Sequence, residues 1–220
     1  MSLSYLILQL SIWSVVLPLV AGFLFFKSLD EPSRILFYVV ILATIPQLLT
    51  VQMIHTKDLN VVYNAYTLIE FPLIYFLLGN KFQRKFFRYA SKTIVILFFT
   101  LSALLIARFG LRDKFLNELV CAANTAYLAW IFMLILENVL NDQKLMNPRL
   151  PIFWFISGLL LYTPCTILIF AFTYYIGKST TPFIHNLWSI QGVFNTIMYV
   201  FFAIGFYKSH ILMKQKSVER

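Results

Sequence analysis

The chain has 220 residues, of which 60% are hydrophobic, 12% are charged and 23 are Phe. A soluble domain of this length cannot bury so much apolar surface in one core, so the composition indicates a membrane protein. The net charge of +9 does not predict a nucleic-acid partner, because no soluble module is left over to carry a basic face.

Seven apolar segments are long enough to cross a bilayer. A spanning helix needs roughly 20 mainly apolar residues to cross about 30 Å of hydrocarbon. We therefore predict an all-α membrane protein whose residues 1–220 form a single domain of seven transmembrane helices, with a short basic cytoplasmic tail at 208–220. The predicted helices cover residues about 4–26, 35–54, 60–79, 93–109, 115–139, 151–176 and 184–207.

Lys and Arg are distributed unevenly between the two ends of these segments. Thirteen of the 18 fall on the side that would carry the C-terminus, and five on the other side. Positive charge stays on the cytoplasmic side during insertion. The sequence therefore predicts an N-terminus outside and a C-terminus in the cytoplasm.

One basic stretch, KFQRKFFRYASK at residues 81–92, interleaves five bases with aromatic residues. Such a segment beside a membrane attracts anionic lipid headgroups. We predict headgroup contact here, and a docking site for a cytoplasmic partner is the alternative. The residues expected to make either contact are Lys81, Arg84, Lys85 and Arg88.

Two prolines suggest an internal repeat. Pro46 and Pro164 lie in the middle of the second and sixth predicted helices. If helices 1–3 and 5–7 are related triplets, helix 4 lets both enter the membrane in the same direction. The sequence thus predicts a possible 3+1+3 arrangement.

Polar residues gather on one face of several predicted helices. At 100° per residue, the polar residues of helix 7 share one arc, and Ile190, Phe194, Ile197 and Phe201 lie opposite, toward lipid. The residues expected to face the interior are Thr44, Gln47 and Thr50 in helix 2; Tyr63, Tyr66, Thr67 and Glu70 in helix 3; Asn117, Cys121, Asn124 and Tyr127 in helix 5; and His185, Trp188, Gln191, Asn195 and Tyr199 in helix 7.

These faces predict a polar pocket in the outer half of the membrane. An ionised carboxylate near the midplane costs about 2.5 kcal/mol or more, so Glu70 indicates a functional site. No Lys or Arg is predicted at its depth, so we expect it to be protonated, hydrogen-bonded by Tyr or Gln, or reached by water or a cationic ligand. The predicted ligand-binding residues are Glu70, Gln47, Tyr66, Asn124, Trp188, Gln191 and Asn195.

Other chemistry is not indicated. Alternatively, the amide side chains on inward faces do no more than form interhelical hydrogen bonds, worth about 0.6–2 kcal/mol each. His55 and His185, with Glu118, lack the spacing of a zinc site, and no catalytic motif is present. We predict no metal, no cofactor and no enzymatic activity. Cys121 and Cys165 lie inside predicted spans and are expected to remain unpaired.

Two resemblances involve several of these segments. The stretch PQLLTVQMIHTKDLN at 46–60 resembles the proline-glutamine loop of sugar and amino-acid carriers, although those carriers place it in the first helix of each triplet. The strings YNAYTLIEF (63–71), FWFISGLLLYT (153–163) and LWSIQGVFN (187–195) are similar to those of an uncharacterised group of seven-helix inner-membrane proteins of Gram-negative bacteria. That group's genes often lie near two-component signalling genes, so the resemblance implies a sensor in the bacterial inner membrane.

Three functions are compatible with this sequence. The first is a receptor-like protein that binds a small or lipid-like ligand in the outward-facing pocket and signals to a cytoplasmic or membrane partner. The second is a small-solute transporter with Glu70 as a proton or cation coupling site. The third is a structural subunit of a membrane complex, in which the polar groups only join helices.

Overall fold

The computed structural model describes residues 3–53, 58–112, 115–141, 147–176 and 183–218. These residues form helices and short connections without a β-strand, and seven of the helical stretches are long and apolar enough to span a membrane. The predicted fold class and number of spans are thus confirmed. The elements are α1 (Leu3–Ser14), α2 (Val16–Phe25), a 3₁₀ turn (Phe26–Ser28), α3 (Glu31–Met53), α4 (Asp58–Ile74), a π-helical turn (Tyr75–Gly79), α5 (Lys85–Phe109), α6 (Asn117–Leu140), α7 (Pro151–Ile176) and α8 (Phe183–Val218).

The first span is interrupted where α1 meets α2. Pro18 has no backbone N–H, so the carbonyl of Ser14 cannot receive its helical hydrogen bond from that residue. At the same place, the hydroxyl of Ser14 donates a hydrogen bond to the carbonyl of Ser11 over 2.6 Å. The proline falls in the first turn of α2, where a missing N–H is tolerated. One apolar segment therefore becomes two short helices.

Two helix boundaries differ from the sequence-based prediction. The helix predicted to begin at residue 93 begins at Lys85, so most of the basic stretch is helical. The helix predicted to end at residue 207 continues to Val218, so residues 208–218 are not a separate tail. In that extension, Ser209 accepts a hydrogen bond from the Asp30 backbone N–H and donates to its carboxylate, both over 2.9 Å. These contacts hold α8 on the bundle beyond its apolar part.

Six of the spans form a ring. α8 packs against α7 on one side and against α1 and α2 on the other; α6 packs against α7 and α4; and α3 packs against α4 and α2. The order around the ring is therefore α1–α2, α8, α7, α6, α4 and α3.

The remaining span, α5, lies outside the ring, with its main contacts on α6 and the π-helical turn. Only 17% of its spanning stretch is buried, against 28% or more in the other spans. It docks through aromatic stacking, since the ring of Phe98 lies parallel to that of Phe71 in α4 with centroids 3.6 Å apart. The Phe71 ring in turn contacts Trp130 in α6 at 5.3 Å.

The contact between α7 and α8 depends on glycine. Gly158 in α7 faces the carbonyl of Met198, and Gly205 in α8 faces the ring of Phe155. Helices in lipid associate through close packing rather than through the hydrophobic effect, so small residues at the contact bring the backbones together. Phe155 is fully buried, and its ring has no room to move aside.

We expect Gly205→Ala to destabilise the protein. A Cβ atom at this position would overlap the ring of Phe155, and overpacking a core typically costs about 1–3 kcal/mol. The measurement is the melting temperature of the purified protein in detergent. Gly192→Ala is the matched control on the same helix, because its added Cβ would meet nothing closer than 3.3 Å. The double variant Gly205→Ala/Phe155→Leu should recover part of the loss, whereas equal effects at the two glycines would contradict this explanation.

Candidate functional site

A cavity of about 490 Å³ lies inside the ring of six spans. It occupies the half of the bundle nearest the N-terminus, because its wall uses the early residues of α1, α4, α6 and α8 and the later residues of α3 and α7. Among the described residues, α5 contributes nothing to the wall. All seven residues predicted to form a pocket lie in it: Gln47, Tyr66, Glu70, Asn124, Trp188, Gln191 and Asn195. Their placement together is thus observed, while ligand binding by them stays a prediction.

Glu70 is held by two tyrosines. The hydroxyl of Tyr66 donates to Oε1 of Glu70 over 2.7 Å, and the hydroxyl of Tyr127 lies 3.5 Å from Oε2. Tyr66 precedes Glu70 by four residues on α4, and this spacing places both side chains on one face of the helix. Of the wall residues that the structure describes, Glu70 is the one with a charged side chain. Its Oε2 atom keeps the capacity to accept a stronger hydrogen bond.

Two of the seven residues also join helices. Gln47 in α3 donates from Nε2 to the hydroxyl of Tyr199 in α8 over 2.7 Å. Asn195 in α8 donates from Nδ2 to the hydroxyl of Ser11 in α1 over 2.9 Å. These bonds tie α8 to its ring neighbour α1 and, across the ring, to α3. They show that interhelical hydrogen bonding and a place in the cavity wall are not mutually exclusive.

Two amide oxygens of the wall have no partner. Oε1 of Gln47 and Oδ1 of Asn124 are buried and accept no hydrogen bond within the part of the chain that the structure describes. The amide nitrogen of Asn124 donates to the carbonyl of Val120 over 2.9 Å, which fixes which end of that amide is the oxygen. A buried acceptor left without a donor costs about 1–3 kcal/mol. The cavity wall therefore carries unfilled acceptor positions.

Some wall residues were missed by the sequence reasoning. Ser11 in α1 and Tyr162 and Phe170 in α7 line the cavity, but neither helix was predicted to have a polar face. Ser11 and Ser14 stand three residues apart in α1, which was a weak signal for an inward side. Tyr162 follows Leu159, Leu160 and Leu161, and the nearby Thr163 and Thr166 were only a weak polar signal for its face.

Three other residues on these faces lie away from the cavity. Thr44 donates to the carbonyl of Ile41 within its own helix, and the thiol of Cys121 points to the carbonyl of Ile167 in α7. Neither residue lines the cavity, and neither does Asn117. Cys121 and Cys165 are both free thiols, as predicted. His55 and the side chains of Thr50 and His185 lie outside the described residues, so the question of a zinc site is not addressed by the structure.

The predicted lipid-facing side of α8 is only partly exposed. Ile190 is 48% exposed, as predicted, whereas Phe194, Ile197 and Phe201 are half-buried. These three residues are less exposed than expected because α8 packs against helices on both sides, and their contact with lipid stays a prediction. Phe201, for example, meets the ring of Trp154 in α7 edge to face at 5.5 Å.

A buried acid that the sequence did not point to accepts hydrogen bonds from the backbone of the basic stretch. Glu137, near the end of α6, is 4% exposed, and its Oε1 accepts hydrogen bonds from the backbone N–H groups of Gln83 and Arg84 at 3.0 and 2.6 Å. A carboxylate at a helix N-terminus accepts hydrogen bonds from free N–H groups and interacts favourably with the positive end of the helix dipole. Glu137 therefore fixes the start of α5 at Lys85.

The four basic residues predicted to contact headgroups or a partner divide into two kinds. Arg84 donates to Oδ1 of Asn141 at 2.9 Å, and Arg88 donates to the carbonyl of Phe82 at 3.3 Å. Both arginines thus have roles inside the protein. Lys81 and Lys85 are exposed. Contact of any of the four with lipid or with a partner stays a prediction.

Comparisons of the chain with protein-family models, with curated proteins and with solved structures find no match. The two sequence resemblances are therefore untested. The geometry of the cavity is therefore the guide to function.

We expect the Glu137 carboxylate to stabilise the fold. Glu137→Ala removes the acceptor from two N–H groups at the start of α5, and losing a helix cap typically costs about 0.5–2 kcal/mol. Glu137→Gln keeps an acceptor and should cost less. The measurement is the melting temperature in detergent, with Glu31→Gln as a control because Glu31 is an exposed acid. An Ala variant as stable as the control would show that this contact does not stabilise the protein.

Proposed function

We propose that this protein is a receptor-like protein of a bacterial inner membrane that binds a small or lipid-like ligand in the cavity and signals to a cytoplasmic or membrane partner. The observation that carries the proposal is the cavity of about 490 Å³ with polar groups converging from several helices. Cavities that bind small ligands usually measure about 300–1,000 Å³ and have mainly apolar walls with a few polar groups. The volume and the composition of this wall both fit that description.

A purely structural role explains the cavity less well. Polar groups that only join helices pair with each other in a closely packed interior. Here Gln47 and Asn124 keep an unpaired amide oxygen each, and Glu70 faces open space without a basic residue in the described part of the wall. A ligand that fills the space and pairs these groups would remove both costs.

α8 offers a route from the cavity to the other end of the bundle. Its residues Trp188 and Gln191 belong to the cavity wall, and the same helix reaches the hydrogen bonds between Ser209 and Asp30 near its far end. No proline interrupts it. A ligand that shifts α8 in the cavity would therefore alter contacts on the opposite side of the membrane, where the distribution of Lys and Arg predicts the cytoplasm.

A transporter is the second candidate, and the pairing of the helices favours it. If α1–α2, α3 and α4 form one triplet and α6, α7 and α8 form the other, the main contacts between triplets are α1–α2 with α8 and α4 with α6. In such a repeat, α1–α2 corresponds to α6, α3 to α7 and α4 to α8. The contact of α1–α2 with α8 then corresponds to the contact of α6 with α4, as a 3+1+3 repeat requires. α5 then links the triplets from outside the ring, and the cavity lies between them.

Thiol labelling distinguishes these functions. In a Cys121→Ala/Cys165→Ala background, we expect Gln191→Cys to react with a membrane-impermeant methanethiosulfonate reagent at least ten-fold faster than Ile190→Cys. Residue 191 lines the cavity, whereas residue 190 is its neighbour on the lipid side. The measurement is the labelling rate in intact cells and in inverted membrane vesicles, and the melting temperature of each variant serves as the control for folding.

The side from which labelling occurs decides between the candidates. Labelling in intact cells alone supports a receptor with an outward-facing cavity. Labelling from both sides supports a transporter that alternates its access. Equal, slow labelling at residues 190 and 191 would contradict an accessible cavity and favour the structural role.

A further inference from the structure

We propose that the ligand of this cavity is an organic cation, namely a small apolar molecule that carries an ammonium group. The inference rests on the proposed ligand-binding function and adds to it the chemical class of the ligand. It follows from the charge, the hydrogen-bonding groups and the aromatic residues of the cavity wall.

The described part of the wall contains a carboxyl group and no basic side chain. Within the described residues, Glu70 is its one ionisable acid, and no Lys, Arg or His accompanies it. An anionic ligand, such as a fatty acid or a phosphate ester, would meet this carboxylate without a compensating positive group. A cationic ligand would instead offset the cost of placing a carboxylate among transmembrane helices.

Both buried atoms of the described wall that lack a hydrogen-bond partner are acceptors. Oε2 of Glu70 has only the long 3.5 Å contact to Tyr127, and the oxygens of Gln47 and Asn124 have no donor. The nitrogen of Asn124 donates to the carbonyl of Val120, and its oxygen is shielded from water-sized molecules, so this oxygen would gain a donor from a ligand only if the side chain turned toward the cavity. A primary ammonium group supplies three N–H donors and no acceptor. An alcohol supplies a single donor.

The rest of the wall suits the organic part of such a ligand. Aromatic rings attract cations placed over their faces, and the wall contains several, including Tyr66, Tyr127, Trp188 and Phe170. Leu159 and Met198 add apolar surface. A metal ion fits less well, because the described residues hold no group of three His, Cys, Asp or Glu side chains. Calcium, for comparison, takes six to eight oxygen ligands.

Three probes of similar size test the proposal: 4-phenylbutylamine, 4-phenylbutanol and 4-phenylbutyrate. Their dissociation constants are measured by titration calorimetry on the protein in lipid nanodiscs, after subtraction of binding to empty nanodiscs. We expect the amine to bind at least ten-fold more tightly than the alcohol, and the carboxylate to bind most weakly.

Substitutions in the cavity wall test whether the preference for the amine over the alcohol arises there. Glu70→Gln should reduce the affinity for the amine to that for the alcohol, while Glu31→Gln, at an exposed acid outside the cavity, should change neither. If Glu70→Gln does not fold, Asn124→Leu provides the second test, because it removes an unpaired acceptor and should weaken the amine several-fold more than the alcohol.

Failure of this proposal can be separated from failure of the proposed function. Equal binding of amine and alcohol, tighter binding of the carboxylate, or a preference unchanged by both wall substitutions would overturn the cation proposal and leave a ligand-binding cavity in place. Binding of none of the three probes would also overturn it. The proposed function fails instead on the thiol-labelling result, which does not depend on the probe.

Discussion

Hydrocarbon offers no hydrogen bonds, and this constraint organises the whole bundle. A polar side chain on a spanning helix must find its partner inside the protein, because leaving it in lipid costs several kcal/mol. The polar sides of α3, α4, α6 and α8 therefore turn toward one interior, and the helices close into a ring around it. The buried hydroxyls of α5 do not need partners inside the ring. Ser91 and Ser102 donate to the backbone carbonyls of Gly79 and Phe98, both over 2.7 Å. It can therefore lie outside.

Structural and functional roles meet in single side chains at the cavity. Gln47 uses its nitrogen to hold α3 to α8 and leaves its oxygen unpaired. Glu70 binds Tyr66 through one carboxylate oxygen and keeps the other nearly free. A bundle built in this way remains closed around its interior when no ligand is present, since one atom of each group serves the fold. In the proposed function, the second atom pairs with the ligand.

Local patterns in the sequence account for most of the fold and for the core of the site. Hydropathy locates the spans, and helical periodicity shows that Glu70, Asn124 and Gln191 face inward, because both are properties of neighbouring residues. What could not be predicted depends on contacts between residues distant in the sequence. The start of α5 is set by Glu137, and the extension of α8 is held by Asp30. Neither partner can be recognised from the segment it stabilises.

The length of α8 has a mechanical consequence. Its 36 residues form a rod of roughly 54 Å at 1.5 Å per residue, nearly twice the thickness of the hydrocarbon. Pivoting such a rod by about 5° at its cavity end would displace its other end by about 5 Å, close to one helical turn. A rearrangement too small to disturb packing around a ligand would thus be magnified into a movement large enough for another protein to detect. Under the proposed function, α8 would act as a lever that pivots near the cavity and moves most at its far end.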